Sequence, residues 1–234
     1  MFFDGTQAEY VRIPFAETSL HHAPPHVEDE ALAMLSDILP TGFECGVLNG
    51  HAQPGDSVAI IGAGPIGLAA LLTARLYSPG AIIMVDPDND RLELARRLGA
   101  TNTVNGGGED AIRRVMNLTG GRGEDVAVEA VGVRASFDIC QSIVAPGGHL
   151  ANIGVYGTSV ELHMERLWSH NITLTTRLVD TVTTPTLLKM LVAGKLDPRP
   201  LITHRFRLQE VIRAYETFAN AAMEKALKVI LTNE

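Results

Sequence analysis

The chain has 234 residues, room for one large domain or two small ones. At 46% hydrophobic and 20% charged it is ordinary globular material with enough apolar residues for a sizeable core, which excludes a disordered chain. A formal charge of -8, from 19 basic and 27 acidic side chains, argues against a nucleic-acid or membrane-surface binder, and no arginine- and aromatic-rich patch offsets it.

Read from the start, Met1-Phe2-Phe3-Asp4 opens no basic segment followed by an apolar one, so no secretory signal is expected. No window reaches the roughly 20 continuous apolar residues that a spanning helix requires. Cys45 and Cys140 form no CxxC pair and no disulfide framework, so a reducing cytoplasm is the default compartment. Ala8 to Ile13 alternates like a strand within a few residues of Met1. A chain that opens inside an element reads as a fragment of something longer.

His21 to His26, HHAPPH, is a loop because of its two prolines. Glu28 to Leu35 has helical spacing. In MLSDILPTG, Met34 to Gly42, a single carboxylate, Asp37, stands in an apolar run. The run predicts a buried segment, and a buried carboxylate costs several kcal/mol unless partnered.

From Asp56 the rhythm is regular. Val58 to Ile61 is a branched apolar run suited to a strand covered on both faces. GAGPIG follows, then a small-residue helix to about Leu76. Ala81 to Val85 is a second buried strand, and the side chains of Asp86 to Asn89 can cap the helix carrying Leu92, Ala95 and Leu98. Gly99 ends that helix. Further strands are expected at Thr101 to Val104, Val126 to Val131, Leu150 to Val155 and Ile172 to Leu178. Helices are expected at Ala111 to Leu118 and Ser136 to Val144. Strands alternating with helices of about this length predict an α/β fold with a parallel sheet. After about Val179 the character changes: helices at Thr186 to Val192 and Leu208 to Ala222, then a strand at Ala226 to Leu231.

Gly62, Gly64 and Gly67 fit GxGxxG between a strand and a helix, the context that makes the motif informative. Gly62 permits the tight turn, Gly64 lets a pyrophosphate approach the backbone, and Gly67 lets helix and strand pack closely. The helix N-terminus then offers free N–H groups and partial positive charge to phosphates. The motif's second requirement is an acidic residue about 20 positions on, closing the next strand. Asp86 meets it. A carboxylate there accepts hydrogen bonds from ribose hydroxyls and repels a 2′-phosphate, which favours NAD over NADP. The alternative for Asp86 is a mere cap on the following helix.

Several stretches together resemble the zinc-dependent medium-chain alcohol dehydrogenases: DGTQAEYV, SDILPTGFE, PGDSVAIIGAGPIG, DRLELARRLGA, EAVG, PGGHLANIG and ITHRFRLQEVIRAYE. The resemblance covers almost the whole chain. It implies a Rossmann doubly wound parallel sheet plus an incomplete GroES-like catalytic domain, a distorted small β-barrel. On that basis residues 1–40 are a remnant of the catalytic domain, 41–179 the NAD-binding domain, and 180–234 the return to the catalytic domain.

The resemblance also implies site roles. Asp37, four residues before Thr41, occupies the place of a catalytic zinc ligand, and a zinc ion would offset the burial of its carboxylate. The alternative for Asp37 is a helix cap or an ion pair. Thr41 lies beside the nicotinamide next to the metal. Gly62, Gly64, Pro65 and Gly67 surround the pyrophosphate, and Ile66 packs on the nicotinamide. Asp86 and Arg91 hold the adenosine ribose. Val131 and the backbone of Ile153, Gly154 and Val155 line the cofactor cleft, and Lys228 faces the pyrophosphate. Ile66 and Val131 could instead be plain core, and Lys228 a solvated strand residue. Trp168 reads as a packing residue.

In the family the other zinc ligands are a Cys and the His of a Gly-His-Glu motif, and neither is present. The four-Cys structural lobe is also missing. A catalytic zinc site needs about three protein ligands, and this chain offers one. The eight histidines do not supply the rest: His21, His22 and His26 read as a solvated loop and the others lack ligand-like spacing. The expectation is therefore a shortened dehydrogenase, either a sequence begun at an internal Met or a truncated gene. Its substrate would be a small alcohol or aldehyde, its cofactors NAD and zinc, and its assembly a homo-oligomer. The competing readings are a non-catalytic NAD-binding paralogue and a zinc-free reductase.

Overall fold

The computed structural model describes residues 5–233. The chain divides into two compact units, Met34–Asp197 and Met1–Ala33 with Pro198–Glu234. In the larger unit six strands form one sheet: β1 (Ser57–Ile61), β2 (Ala81–Asp86), β3 (Asn102–Asn105), β4 (Glu124–Glu129), β5 (Val144–Asn152) and β6 (Thr173–Thr176). Their order is β3-β2-β1-β4-β5-β6, and every pair is parallel. This is the doubly wound order in which a ligand crosses the point where the strand order reverses, here between β1 and β4.

The register decides which residues meet there. Ile61 is level with Val85 on one side and Glu129 on the other, and Glu129 is level with Asn152. The turns after β1, β2, β4 and β5 therefore emerge along one edge of the sheet. β1 and β2 are almost wholly buried, as the unbroken apolar runs required.

Helices cover both faces. Helix α1 (Pro65–Ala74) is apolar all round and buried from Gly67 onward. It is followed by α2 (Asn89–Arg97), α3 (Gly108–Leu118), α4 (Arg134–Ile143) and α5 (Thr184–Val192). On one face Ile61, Ile83 and Val85 share a core with Ala111 and Val115 of α3 and with Phe137 and Ile143 of α4. On the other face α1 packs against a helix of Thr41–Leu48 that is wound wider than an α-helix. A Cβ on Gly42 would lie 2.5 Å from the Ala70 nitrogen, so only glycine allows the two helices to cross so closely. That crossing brings Thr41, and with it Asp37, next to α1.

The smaller unit holds β7 (Ile202–Arg207), paired in parallel with β8 (Lys228–Thr232), and helix α6 (Val211–Ala219). Arg205 forks onto Glu30 with bonds of 2.5 and 2.6 Å, joining the helix Asp29–Ala33 to β7.

Ala8 to Ile13 is not a strand. Its alternation is real, but a strand exists only by exchanging backbone hydrogen bonds with a neighbour. No described strand pairs with it, and Tyr10 is 90% exposed. Trp168, read as a packing residue, is 74% exposed just past the short helix Met164–Leu167.

Candidate cofactor and substrate site

The turn after β1 is held from below and open above. Gly62 has φ +106°, in the left-handed region, and the Gly62 amide donates to the Val85 carbonyl at 2.8 Å. A Cβ on Gly67 would lie 1.8 Å from the Gly62 oxygen. Gly64 differs: its φ of -73° suits any residue, and a Cβ there would meet nothing within 4 Å. Nothing among the described residues requires glycine at 64, so the space above it fits a ligand that must approach the backbone. Pro65 opens α1, where its missing N–H costs nothing.

Asp86 closes β2 and is 6% exposed. Its carboxylate accepts the Ala63 N–H at 2.7 Å and the Asp88 N–H at 2.8 Å. It thus clips the glycine turn to the end of the next strand. The cap of α2 is Asp88, which accepts from Asp90 and Arg91, so Asp86 is not the cap on that helix. A carboxylate has about four acceptor positions, and two are used here. Arg91 sits in the first turn of α2, its Nε 3.7 Å from the Asp88 carboxylate.

Across the reversal point a cavity of about 420 Å³ opens beside the turns after β4 and β5. It brings together Asp37, Thr41, Ile66, Val131, Ile153, Gly154 and Val155. Ile66 is half-buried, and Val131 is 49% and Val155 89% exposed. None of the three is core; they are apolar walls with open space in front of them. The turn bearing Val131 is set by Glu129, fully buried, which accepts the Val131 and Gly132 N–H groups at 3.0 and 2.9 Å and the Ser136 hydroxyl at 2.5 Å.

Sequence reasoning missed the far wall, which is Arg177, Leu178 and Val179, together with Cys45 and Ala130. Cys45 lies four residues beyond Thr41, and that helical spacing is the one signal that could have found it. The chain after β6 carries no local motif. Lys228 belongs to the smaller unit, at the start of β8, where it lines a separate hollow with Tyr215 and Phe218.

Asp37 corrects an expectation. It is exposed rather than buried, although Ile38, Leu39 and Pro40 after it are buried. The apolar run supplies the buried side of the helix, and Asp37 turns outward at its start. Its side chain caps no backbone N–H; it accepts the Thr41 hydroxyl at 3.0 Å. The cost of a buried, unpaired carboxylate therefore does not arise, and no cation is needed to offset it.

The donor set does not fit a zinc ion. Among the described residues no three His, Cys, Asp or Glu side chains converge. The cavity offers one carboxylate, Asp37, and one thiol, Cys45. Burial, reinforced by the charge of Glu44, pushes the Cys45 pKa up to about 11, away from the thiolate that binds metal.

A doubly wound parallel sheet, a glycine turn open over a helix N-terminus, and an acidic residue at the end of the second strand define a dinucleotide-binding α/β protein. Residues 65–193 match the family model described as zinc-binding dehydrogenase, and the chain belongs to that family. Among solved structures it resembles the zinc dependent alcohol dehydrogenase 2 from Streptococcus pneumonia in its apo form, with 53% identity and a TM-score of 0.94. That match covers 99% of this chain and 66% of the other. An alcohol dehydrogenase of Cupriavidus necator is 38% identical over 221 residues, 93% of this chain and 60% of the relative. The NADP-dependent isopropanol dehydrogenase of Thermoanaerobacter brockii is 32% identical over 219 residues, 87% of this chain and 59% of the relative. The chain thus spans about three-fifths to two-thirds of the length of these relatives. Among the described residues no helix is long and apolar enough to cross a membrane.

Proposed function

We propose that this chain carries the cofactor half and part of the substrate half of an NAD-dependent alcohol dehydrogenase, with residues 41–179 as the NAD-binding domain and 1–40 and 180–234 as parts of the catalytic domain. The observation that carries the reading is the cavity beside the open glycine turn: it joins the Asp37–Thr41 pair to apolar walls on the far side of the reversal point from Asp86. A dinucleotide laid across that edge would lie with its adenosine toward Asp86 and Arg91 and its nicotinamide toward Thr41, Ile66 and Val131.

In this reading the N–H groups of Gly64, Ile66 and Gly67, at the opening of α1, meet the pyrophosphate. Asp86 and Arg91 hold the adenosine ribose. Ile66, Val131 and Ile153 to Val155 exclude water around the nicotinamide. Thr41 places its hydroxyl at the reacting end, where it donates a hydrogen bond to Asp37. The chemistry the cofactor would supply there is hydride exchange with the carbon of an alcohol or aldehyde. For Lys228 beside the pyrophosphate, and for assembly as a homo-oligomer in the cytoplasm, the support is family resemblance alone. Asp37 is the one position matching a family zinc ligand, and the other donors would come from outside these residues. A second reading is a cofactor-binding module without catalysis of its own, supported by the absence of three converging metal donors among the described residues.

NAD is favoured over NADP because the buried Asp86 carboxylate lies where a 2′-phosphate would otherwise be received. Fluorescence titration of the purified chain tests this. NADH is expected to bind at least about tenfold more tightly than NADPH, a difference of about 1.4 kcal/mol, and Asp86→Ser is expected to narrow the gap. Equal affinity of the parent chain for both would defeat the NAD assignment, and binding of neither would defeat the dehydrogenase reading.

A further inference from the structure

The fully buried Glu44 lies on the helix Thr41–Leu48, one turn beyond Thr41. It reaches across to a segment more than 130 residues away in the chain. Its Oε1 accepts the Thr183 N–H at 2.9 Å and the Thr183 hydroxyl at 2.8 Å; its Oε2 accepts the Asp180 N–H at 3.1 Å. Arg177 Nη2 stands 3.9 Å from the same Oε2 and donates to Asp180 at 2.6 Å. A second tie, from the Thr175 hydroxyl to the Asn49 carbonyl at 3.2 Å, joins the same two pieces.

Between the two residues held by Glu44, Thr181 has φ +58°. A β-branched residue in the left-handed region is a true outlier and persists only where its surroundings over-determine it. The held segment begins with Arg177, Leu178 and Val179, the far wall of the cavity. Leu178 is 86% exposed, so burial of its side chain does not fix it. The wall is therefore positioned by its backbone, and the backbone by Glu44. An apolar side chain in place of Glu44 would leave the Asp180 and Thr183 N–H groups and the Thr183 hydroxyl without their acceptor; the carboxylate fixes the conformation of the segment it grips.

We propose that Glu44 is a positioning residue for the nicotinamide half of the site, clamping the chain after β6 so that Leu178 and Val179 close the cavity opposite Ile66 and Val131. The inference rests on the dinucleotide reading above and deepens it. The hydrogen bonds of Glu44 go to Asp180 and Thr183 and not to the glycine turn or Asp86, so the adenosine half is expected to be independent of it.

That independence gives the test. NADH and ADP-ribose, which lacks the nicotinamide, are titrated calorimetrically into the parent chain, Glu44→Gln and Thr183→Val. The side-chain amide introduced by Glu44→Gln would present an N–H₂ to one of the two backbone N–H groups and release it. The expectation for Glu44→Gln is about a tenfold loss of NADH affinity with ADP-ribose affinity unchanged within about twofold, and faster amide exchange at Asp180 and Thr183. Thr183→Val removes one hydroxyl donor and is expected to cause a smaller loss with the same asymmetry; it reads the same clamp should Glu44→Gln fail to fold. Equal losses for both ligands mean general destabilisation and overturn the proposal, as does unchanged NADH affinity. If the parent chain binds ADP-ribose as tightly as NADH, the glycine-turn reading stands and this proposal falls. If it binds neither, both fall.

Discussion

Gly64 and Gly67, three residues apart, have glycine for opposite reasons, and one alanine at each separates them. At Gly67 a Cβ would sit 1.8 Å from the Gly62 oxygen, against ordinary contact at 3.4 Å, so α1 would have to withdraw by at least 1.6 Å. It has nowhere to go, because Leu68 to Ala74 are buried and Gly42 of the crossing helix lies against Ala70. Overpacking of this kind costs about 3 kcal/mol or more, which for a domain of this size lowers the melting temperature by about 6–12 °C. At Gly64 the backbone suits alanine and a Cβ meets no protein atom within 4 Å. There the small loss from a poorer helix cap and the gain from a stiffer unfolded chain roughly cancel, leaving a change within about 0.5 kcal/mol. The new methyl would occupy the approach to the turn, so NADH affinity is expected to fall at least about tenfold, or about 1.4 kcal/mol. Thermal melts and NADH titration of Gly64→Ala and Gly67→Ala read both quantities. A Gly64→Ala chain that binds NADH like the parent would refute the assignment of that space to the pyrophosphate. A Gly67→Ala chain that melts with the parent would refute the packing argument.

Two further outcomes are expected. Glu124, at the start of β4, is fully buried and neither of its oxygens accepts a hydrogen bond, the Ser57 hydroxyl being given to Asp125 at 3.0 Å. Burial, with the nearby charge of Asp125, pushes its pKa up to about 7 from 4.5. The folded state then holds a proton that the unfolded state has lost, so stability falls as pH rises from 4.5 to about 7 and is level above it. The loss is about 3 kcal/mol in urea titrations across that window; Glu124→Gln should abolish that slope, and an unchanged slope would place the titrating group elsewhere. Because Asp37 and Cys45 are the only ionisable metal donors among the described residues lining the cavity, treating the chain with EDTA is expected to leave its melting temperature and NADH affinity unchanged. Release of one zinc equivalent per chain, with a fall in either quantity, would reverse that conclusion.

The parts of the site legible in the sequence are those built from neighbours in the chain. The turn from β1 into α1 and the acidic end of β2 depend on residue type and short spacing: a left-handed turn at Gly62, close packing at Gly67, a carboxylate at Asp86. Local steric and hydrogen-bonding rules act within those few residues, so the pattern determines the conformation. Alternation and apolar runs misled where partners decide. Ala8 to Ile13 has the rhythm of a strand and no described neighbour to pair with. Asp37 stands in an apolar run yet faces outward, because a helix start buries one side of the run and not the other. The crossing of helices at Gly42, the far wall at Arg177 to Val179 and its attachment to Glu44 exist only once segments distant in the chain are packed together. No local rule names the partner of a buried carboxylate; the tertiary structure chose it by bringing the Asp180 and Thr183 N–H groups to the one place where Glu44 could accept them.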